Sequence, residues 1–449
     1  MESQENIERC KDSDFYQEAT SANIGTVLVA KLESLAACPD SPPPPFTANG
    51  EVVLVDIVVP NTGQGDSVSR AFPVAKRNPQ LHFQDPTQVN AAIVTFGGLC
   101  PGINNVIREI TITLHRQYKV NRVWGIQGGW RGFYELPPIL LTPEVIHTVH
   151  HHGGSFLRTS RGGLDIDKTL TFLSNREISH LYIIGGDGTH RGAYKIHERC
   201  RELHLNVAVV GIPKTIDNDI AYLDRSFGFY SAVEAAQASI RTALIEARCT
   251  VPNGIGVIKL MGREAGFLAA YAALGSGGDV DAVLVPEVPV IMDGPDGILP
   301  FLKQRVLEKQ HAVVVVAEGA GQELLEAEIE REAGSGNKKL PPIAEYVRDQ
   351  IQDYFKHQGM ECRMKYVDPS YSVRSVPANA ADALYCLQLG QAAVQGAMAG
   401  FTGFSVGMVS NRMVYIPIPL LVATSPRLLN SDGDIWSQVL SMTGQPSHM

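Results

Sequence analysis

The sequence predicts an α/β fold with mainly parallel sheets covered by helices on both faces. Three observations carry this. Short apolar runs recur along the chain, each leading through a glycine-rich or polar turn into a helical pattern, the alternation of strands joined by crossover helices. The runs are apolar throughout, as strands buried on both faces must be. Several end in polar or glycine motifs, and open parallel sheets gather ligands at the carboxyl ends of their strands.

Bulk properties narrow the function classes. A chain of 449 residues, 44% hydrophobic and 19% charged, can bury the core of a large two-lobed enzyme. Net charge is −9 and the pI about 5.8, which together with the lack of a long basic patch argues against nucleic acid or an anionic membrane as partner. No apolar run reaches the roughly 18 residues of a membrane span. The seven cysteines are scattered without a CxxC pair, as expected for reduced thiols and not for zinc. His150, His151 and His152 are adjacent and read as a solvated helix end. The first twenty residues are acidic and contain no signal-peptide core. This predicts a cytoplasmic protein, with a plastid location the alternative if the true N-terminus differs.

Residues 1–85 read as a partly irregular extension, with a polyproline spacer at Pro42–Pro45, a possible strand at Glu51–Val59 and a loop at Thr62–Arg77. Ala91–Phe96 is the first clear strand. It enters Gly97-Gly98-Leu99-Cys100-Pro101-Gly102 and a helix over Asn104–Gln117, a turn able to bring backbone N–H groups to a phosphate. Val123–Ile126 is a second strand. Gly153–Gly163 holds Arg158 and Arg161 among glycines and hydroxyls and reads equally as a phosphate-binding loop or a flexible surface loop. Strand Leu181–Ile184 enters Gly185-Gly186-Asp187-Gly188-Thr189 and a helix to Glu202. There the glycines clear space for a polyphosphate, and Asp187 suits Mg²⁺, which prefers carboxylate and water oxygens.

Strand Val207–Val210 runs into Pro213-Lys214-Thr215-Ile216-Asp217-Asn218-Asp219, where two carboxylates beside a strand end can hold a metal or serve as a base. Ser231–Glu234 has the form of a capping box opening a helix to Ala247, with Val233, Ala236, Ile240, Leu244 and Ala247 inward. Strands Ile255–Leu260, Ala282–Val285 and Ala312–Ala317 end in Met261-Gly262-Arg263-Glu264, Pro286-Glu287 and Glu318-Gly319. A polar connector, Glu332–Pro342, precedes a helix at Ile343–His357. Lys365–Val376 is polar and compact, Asp382–Met398 is a buried helix, and Phe404–Val409 with Met413–Ile418 form a hairpin across Ser410-Asn411. The expected division is an extension (1–85), a first lobe (86–250), a second lobe (251–430) whose last segments cross back, and a tail (431–449). The two lobes are Rossmann-like, with a cleft between them gathering the strand ends.

Gly-Gly-Asp-Gly-Thr (185–189), Pro-Lys-Thr-Ile-Asp-Asn-Asp (213–219) and Lys-Leu-Met-Gly-Arg (259–263), in this order and spacing, resemble ATP-dependent 6-phosphofructokinase of the plant and protist branch. The resemblance runs from Ala91 to Ile418. It implies phosphoryl transfer from Mg-ATP to the 1-hydroxyl of fructose 6-phosphate by a homodimer or homotetramer. It makes Asp217 the base that takes the hydroxyl proton, with Arg161, Arg263 and Thr215 on the moving phosphoryl group. Asp187 would hold Mg²⁺, supported by Asp219. Gly98, Arg161, Gly162, Gly186, Asp187, Gly188 and Thr189 would form the ATP site. Thr215, Ile216, Met261, Gly262, Arg263 and Glu318 would contact the sugar, and Lys365, Tyr371, Ser372, Val373 and Arg374 its 6-phosphate. Gly188 leaves room for a nucleotide and points to ATP, whereas Lys214 matches pyrophosphate users. A pyrophosphate-dependent enzyme, an NAD- or lipid-kinase-like protein and a silent regulatory subunit are the alternatives.

Overall fold

The computed structural model describes residues 16–21, 25–35, 51–55, 69–75, 85–325, 330–331 and 338–447. Pro42–Pro45, residues 1–15 and 332–337 lie outside them, and with them the expected spacer and most of the acidic start. The chain divides into two compact units. The first comprises 1–215, 220–227 and 377–425; the second comprises 216–219, 228–376 and 426–449.

The first unit is built on a seven-stranded sheet of order β19-β18-β10-β9-β6-β7-β8. Its strands are β6 (Asn90–Thr95), β7 (Arg122–Ile126), β8 (Ile139–Leu140), β9 (His180–Gly185), β10 (Ala208–Pro213), β18 (Phe404–Val409) and β19 (Arg412–Pro417). The central pairs are parallel, while β7/β8 and β18/β19 are antiparallel. Every residue of β6, β9 and β10 is buried, which accounts for their unbroken apolar composition. Helices α1 (Ile103–Ile112), α2 (Ile166–Asn175), α3 (Asp187–Glu202), α9 (Ala380–Met398) and α10 (Ile418–Thr424) belong to this unit. Helices α2 and α3 pack Leu170, Leu173, Ala193 and Ile196 onto Ala92, Val94, Leu181 and Ile183. The hairpin turns at Ser410 and Asn411, both left-handed at φ 49° and 59°, and Asp224 accepts their two N–H groups at 2.9 and 2.7 Å.

The N-terminal region is more ordered than the sequence predicts. Strands β1 (Tyr16–Ser21), β2 (Gly25–Ala30), β4 (Val52–Leu54) and β5 (Ser69–Pro73) form a sheet of order β1-β2-β5-β4. The strand expected over Glu51–Val59 is present only as β4 within the described residues. The loop expected over Thr62–Arg77 is corrected, because β5 lies inside it. Phe72 of β5 is fully buried in one cluster with Tyr16, Val414, Ile416 and Leu421, and that packing outweighs the weak local signal of Ser-Arg-Ala-Phe-Pro. A shorter strand, β3 (Glu33–Ser34), pairs with β17 (Phe401–Thr402).

The second unit has a parallel sheet of order β12-β13-β11-β16, formed by β11 (Gly254–Leu260), β12 (Ala282–Leu284), β13 (His311–Ala317) and β16 (Arg363–Val367). β16 arises where a compact polar stretch was expected. Helices α4 (Phe229–Cys249), α5 (Phe267–Gly275), α6 (Ile298–Lys309), α7 (Ile343–His357), α8 (Ser370–Ser375) and α11 (Asp434–Thr443) belong to it. So does a two-residue hairpin of β14 (Glu330–Arg331) and β15 (Lys338–Lys339). On one face, α6 and α7 pack Leu302, Val306, Val347, Ile351 and Phe355 over Ile255, Val257, Val314 and Val316.

Three sequence expectations change. Helix α4 starts at Phe229 with Gly228 as its cap at φ 84°. Ser231–Glu234 therefore lies inside its first turns, because the buried Phe229 ring packs edge-on to Tyr271 at 5.1 Å and draws the start forward. The buried face of α4 runs through Ala232, Ala236, Ile240, Ala243 and Ala247, with Val233 and Leu244 at its margins. The contact division places α4 in the second unit, on the other side of the boundary expected at 250; 377–425, within the stretch expected to cross back, lies in the first, and residues 431–449 contribute Trp436 (2% exposed) to the second. Phe72→Ala is expected to destabilise the protein by about 3–5 kcal/mol and to lower Tm by several degrees in a thermal melt. An unchanged Tm would show that β5 is dispensable.

Candidate functional site

In the first unit, three neighbouring strands, β10, β9 and β6, deliver their carboxyl ends side by side. β6 leads to Gly97 and Gly98, β9 to Gly186–Thr189, and β10 to Lys214. The turns are bonded to one another. Phe96 N–H donates to Ile184 O at 2.9 Å, and Lys214 N–H to Gly185 O at 2.9 Å. Gly97 N–H donates to Ser160 O at 3.1 Å, while Thr159 Oγ1 donates to Gly97 O at 2.8 Å. This sets Arg161 and Gly162, both exposed, beside the first turn. The buried Lys214 donates through Nζ to Gly98 O at 2.8 Å.

Asp187 opens α3, where a negative charge is favoured by the helix dipole. Its Oδ1 accepts the Gly188 N–H at 2.6 Å, and its Oδ2 pairs with Arg191 at 2.9 Å. A Cβ built on Gly188 would meet nothing within 4 Å, whereas one on Gly185 would strike the Thr189 side chain at 2.4 Å. Sequence reasoning missed His190. It is fully buried, and its Nδ1 lies 2.9 Å from Gly186 O, so that nitrogen donates; its Nε2 lies 3.1 Å from Ser405 Oγ. Burial pulls its pKa below the ordinary histidine value. Its position directly after Thr189 was the only signal. A cavity of about 460 Å³ lined by Phe133, Tyr134, Lys168, Thr171, Phe172, Asn175 and Arg176 includes none of the residues singled out from the sequence.

In the second unit, Ile216–Asp219 belongs with the ends of β11 and β13. Glu318 N–H donates to Leu260 O, and Gly319 N–H to Gly262 O, each at 2.9 Å. Only glycine fits at 319, since a Cβ there would lie 1.9 Å from Arg263 O. Met261–Arg263 and Glu318 are thereby fixed together, with Arg263 Nη1 3.9 Å from Glu318 Oε1. Asp217 is half-buried as a residue, but its Oδ1 is closed to water. Its pKa is pushed up to about 8, first by burial and then by the Asp219 and Glu318 carboxylates; the Arg263 main-chain N–H and guanidinium pull the other way.

The residues expected on a sugar phosphate sit at and beyond β16. Lys365 pairs with Glu246 at 3.1 Å, and Lys259 with Asp368 at 3.3 Å. Arg374 lies over the Tyr371 ring at 4.8 Å, and that ring is 76% exposed. Ser372 is exposed, but Val373 departs from expectation. Its side chain is fully buried and its N–H is spent inside α8 on Pro369 O at 3.0 Å. A phosphate would therefore have to be met by the neighbouring side chains and not by that amide.

A family model described as phosphofructokinase matches residues 90–397. The chain belongs to the phosphofructokinase family. It is 45% identical over 409 residues to "ATP-dependent 6-phosphofructokinase 4, chloroplastic" of Arabidopsis thaliana, covering 90% of this chain and 76% of that one. It is 42% identical over 415 residues to the ATP-dependent 6-phosphofructokinase of Amycolatopsis methanolica, covering 90% of each. Both matches extend beyond the Ala91–Ile418 range from which the resemblance was read. Among solved structures, a pyrophosphate-dependent phosphofructokinase from Marinobacter aquaeolei superposes with TM-score 0.63 at 20% identity, covering 80% of this chain and 92% of that one. A Saccharomyces cerevisiae phosphofructokinase gives 0.61 at 22%, and there the chain covers 79% of itself and about half (48%) of the yeast chain. At these identities the structures support the shared fold.

The raised pKa of Asp217 has a thermodynamic signature. Between about pH 4 and 8 the folded carboxyl keeps its proton while the unfolded one has lost it, so this group's stabilisation is full at low pH and fades as pH climbs to 8. Asp217→Asn should flatten the decline of Tm across that window, measured against wild type by differential scanning fluorimetry. Parallel slopes would show an ordinary carboxylate.

Proposed function

We propose that this protein transfers the γ-phosphoryl group of ATP to the 1-hydroxyl of fructose 6-phosphate, giving ADP and fructose 1,6-bisphosphate. The observation that carries the reading is the Asp217 carboxyl, one oxygen of it closed to water and the group bonded by the Arg263 main-chain N–H at a strand end, where burial pushes its pKa up to about 8. A general base works best with a pKa near the working pH. The sugar hydroxyl gives its proton to Asp217 as its oxygen attacks phosphorus in line. Arg263 and Arg161 offset negative charge on the phosphoryl oxygens, and Thr215 hydrogen-bonds the same group. Glu318 accepts from the sugar hydroxyls, and Lys365, Tyr371, Ser372 and Arg374 hold the 6-phosphate.

Asp187 is the residue that would hold Mg²⁺. Among the described residues no group of three or more His, Cys, Asp or Glu could bind a metal. The Asp187 side chain is 46% exposed beside the open space at Gly188. One carboxylate, waters and substrate phosphates are a donor set that suits this ion. When bound, Mg²⁺ neutralises charge on the β- and γ-phosphates.

ATP is the proposed donor because Gly188 puts no side chain into the open space beside Asp187 and the relatives at 42–46% identity are named ATP-dependent. Lys214, the residue in which this chain matches pyrophosphate users, favours the second reading, pyrophosphate as donor; its ammonium donates to Gly98 O at 2.8 Å. The family spans compartments: of two Arabidopsis relatives at 45% identity, one is named chloroplastic and the other is not. A homo-oligomer is proposed on the family resemblance alone.

The test is a donor-resolved assay with Asp217→Ser alongside. ATP should support turnover far better than pyrophosphate, and the substitution should lower kcat by about 10²–10⁴-fold with the nucleotide Kd little changed. Turnover with pyrophosphate alone would reverse the donor assignment, and full activity in the variant would remove Asp217 from the role of base.

A further inference from the structure

We propose that Arg427 is a positioning residue that holds the Ile216–Asp219 loop, and with it Asp217, in its working geometry. The proposal rests on the reading of Asp217 as the base and extends it to a residue outside every motif. Arg427 lies in the segment entering the second unit at Pro426. Its main-chain N–H donates to Asp219 O at 2.6 Å, and its Nη2 donates to Asn218 O at 3.1 Å. One residue thus grips both peptide carbonyls that follow Asp217.

The grip is braced from below. The Arg427 guanidinium sits 4.8 Å from the centre of the Phe267 ring, a cation–π contact worth more where water is partly excluded. Phe267 opens α5, four residues after Arg263. Two residues beyond Arg427, Leu429 N–H donates to Glu287 Oε1 at 2.8 Å. The same carboxylate accepts Gly266 N–H at 2.9 Å. The segment therefore ties the carboxylate loop to the turn that carries Arg263, whose main-chain N–H itself reaches Asp217. Between the two carbonyls, Asn218 turns the chain in the left-handed region at φ 58°, which asparagine adopts more readily than most residues.

Among the described residues, the charged and titratable groups around this loop include Asp217, Asp219, Glu318, Glu287, Arg263, Arg427 and Tyr271. Loosening the loop would change the distances among them and the aim of the base. A displacement near 1 Å can cost about 100-fold in rate.

The experiment compares Arg427→Met, Arg427→Lys, Phe267→Leu and Asp217→Asn in full-length protein. Arg427→Met is expected to lower kcat by about 10–100-fold, leave the KM for ATP within about threefold and move the acidic limb of the kcat–pH profile. Arg427→Lys, whose ammonium can still donate to Asn218 O, should recover part of the rate. Phe267→Leu, which keeps apolar volume and removes the ring, should give a smaller loss and reports the same bracing if Arg427→Met fails to fold. Wild-type kcat in Arg427→Met, an unmoved pH limb, or no recovery with lysine would overturn the proposal. If Asp217→Asn itself retained full activity, the base assignment would fail instead.

Discussion

The chemistry of this fold depends on one electrostatic constraint. One oxygen of the Asp217 carboxyl, Oδ1, is closed to water, and the group lies beside two further carboxylates, Asp219 and Glu318, with the Arg263 guanidinium and main-chain N–H as its counterweight. Burial and like charge each favour the protonated acid, while Arg263 favours the anion. Burial and the acidic neighbours outweigh Arg263, so the pKa is pushed up to about 8. Gly319 lies against the Arg263 carbonyl, and β11 and β13 pair in register from Gly254↔His311 to Leu260↔Ala317.

The first unit gathers glycine turns at one edge of its sheet. Gly97, Gly186 and Lys214 come from three adjacent parallel strands, and hydrogen bonds between their turns fix them to one another. The sheet beneath is buried on both faces, so its strand ends cannot drift, and Asp187 enters at a helix N-terminus that favours its charge. His190 and Ser405 brace the same turn from inside the core. The same bonds that close the turns hold them in place relative to one another.

Much of this was legible in the sequence, because parallel strands and glycine turns leave local marks. The apolar runs at 91–96, 181–184, 255–260 and 312–317 became β6, β9, β11 and β13, and Ser410-Asn411 became the hairpin turn. Other features carry no local mark. β5 is a strand because Phe72 finds Val414 and Ile416 more than three hundred residues away. Helix α4 begins where Phe229 meets Tyr271, not where a capping pattern stands. Val373 gives no local sign that its side chain is buried and its amide bonded to Pro369 O inside α8. Arg427 was invisible because its partners are carbonyl groups, which every residue type carries.

The protonation state of Asp217 is the most direct handle on the account. Carboxyl ¹³C titration of aspartate-labelled protein, with Asp217→Asn to assign the signal, reads it without reference to turnover. A carbon that titrates near pH 8 and vanishes in the variant is the predicted result. A midpoint near 4 for that carbon would mean that neither burial nor its acidic neighbours govern the group, and the constraint described above would not exist.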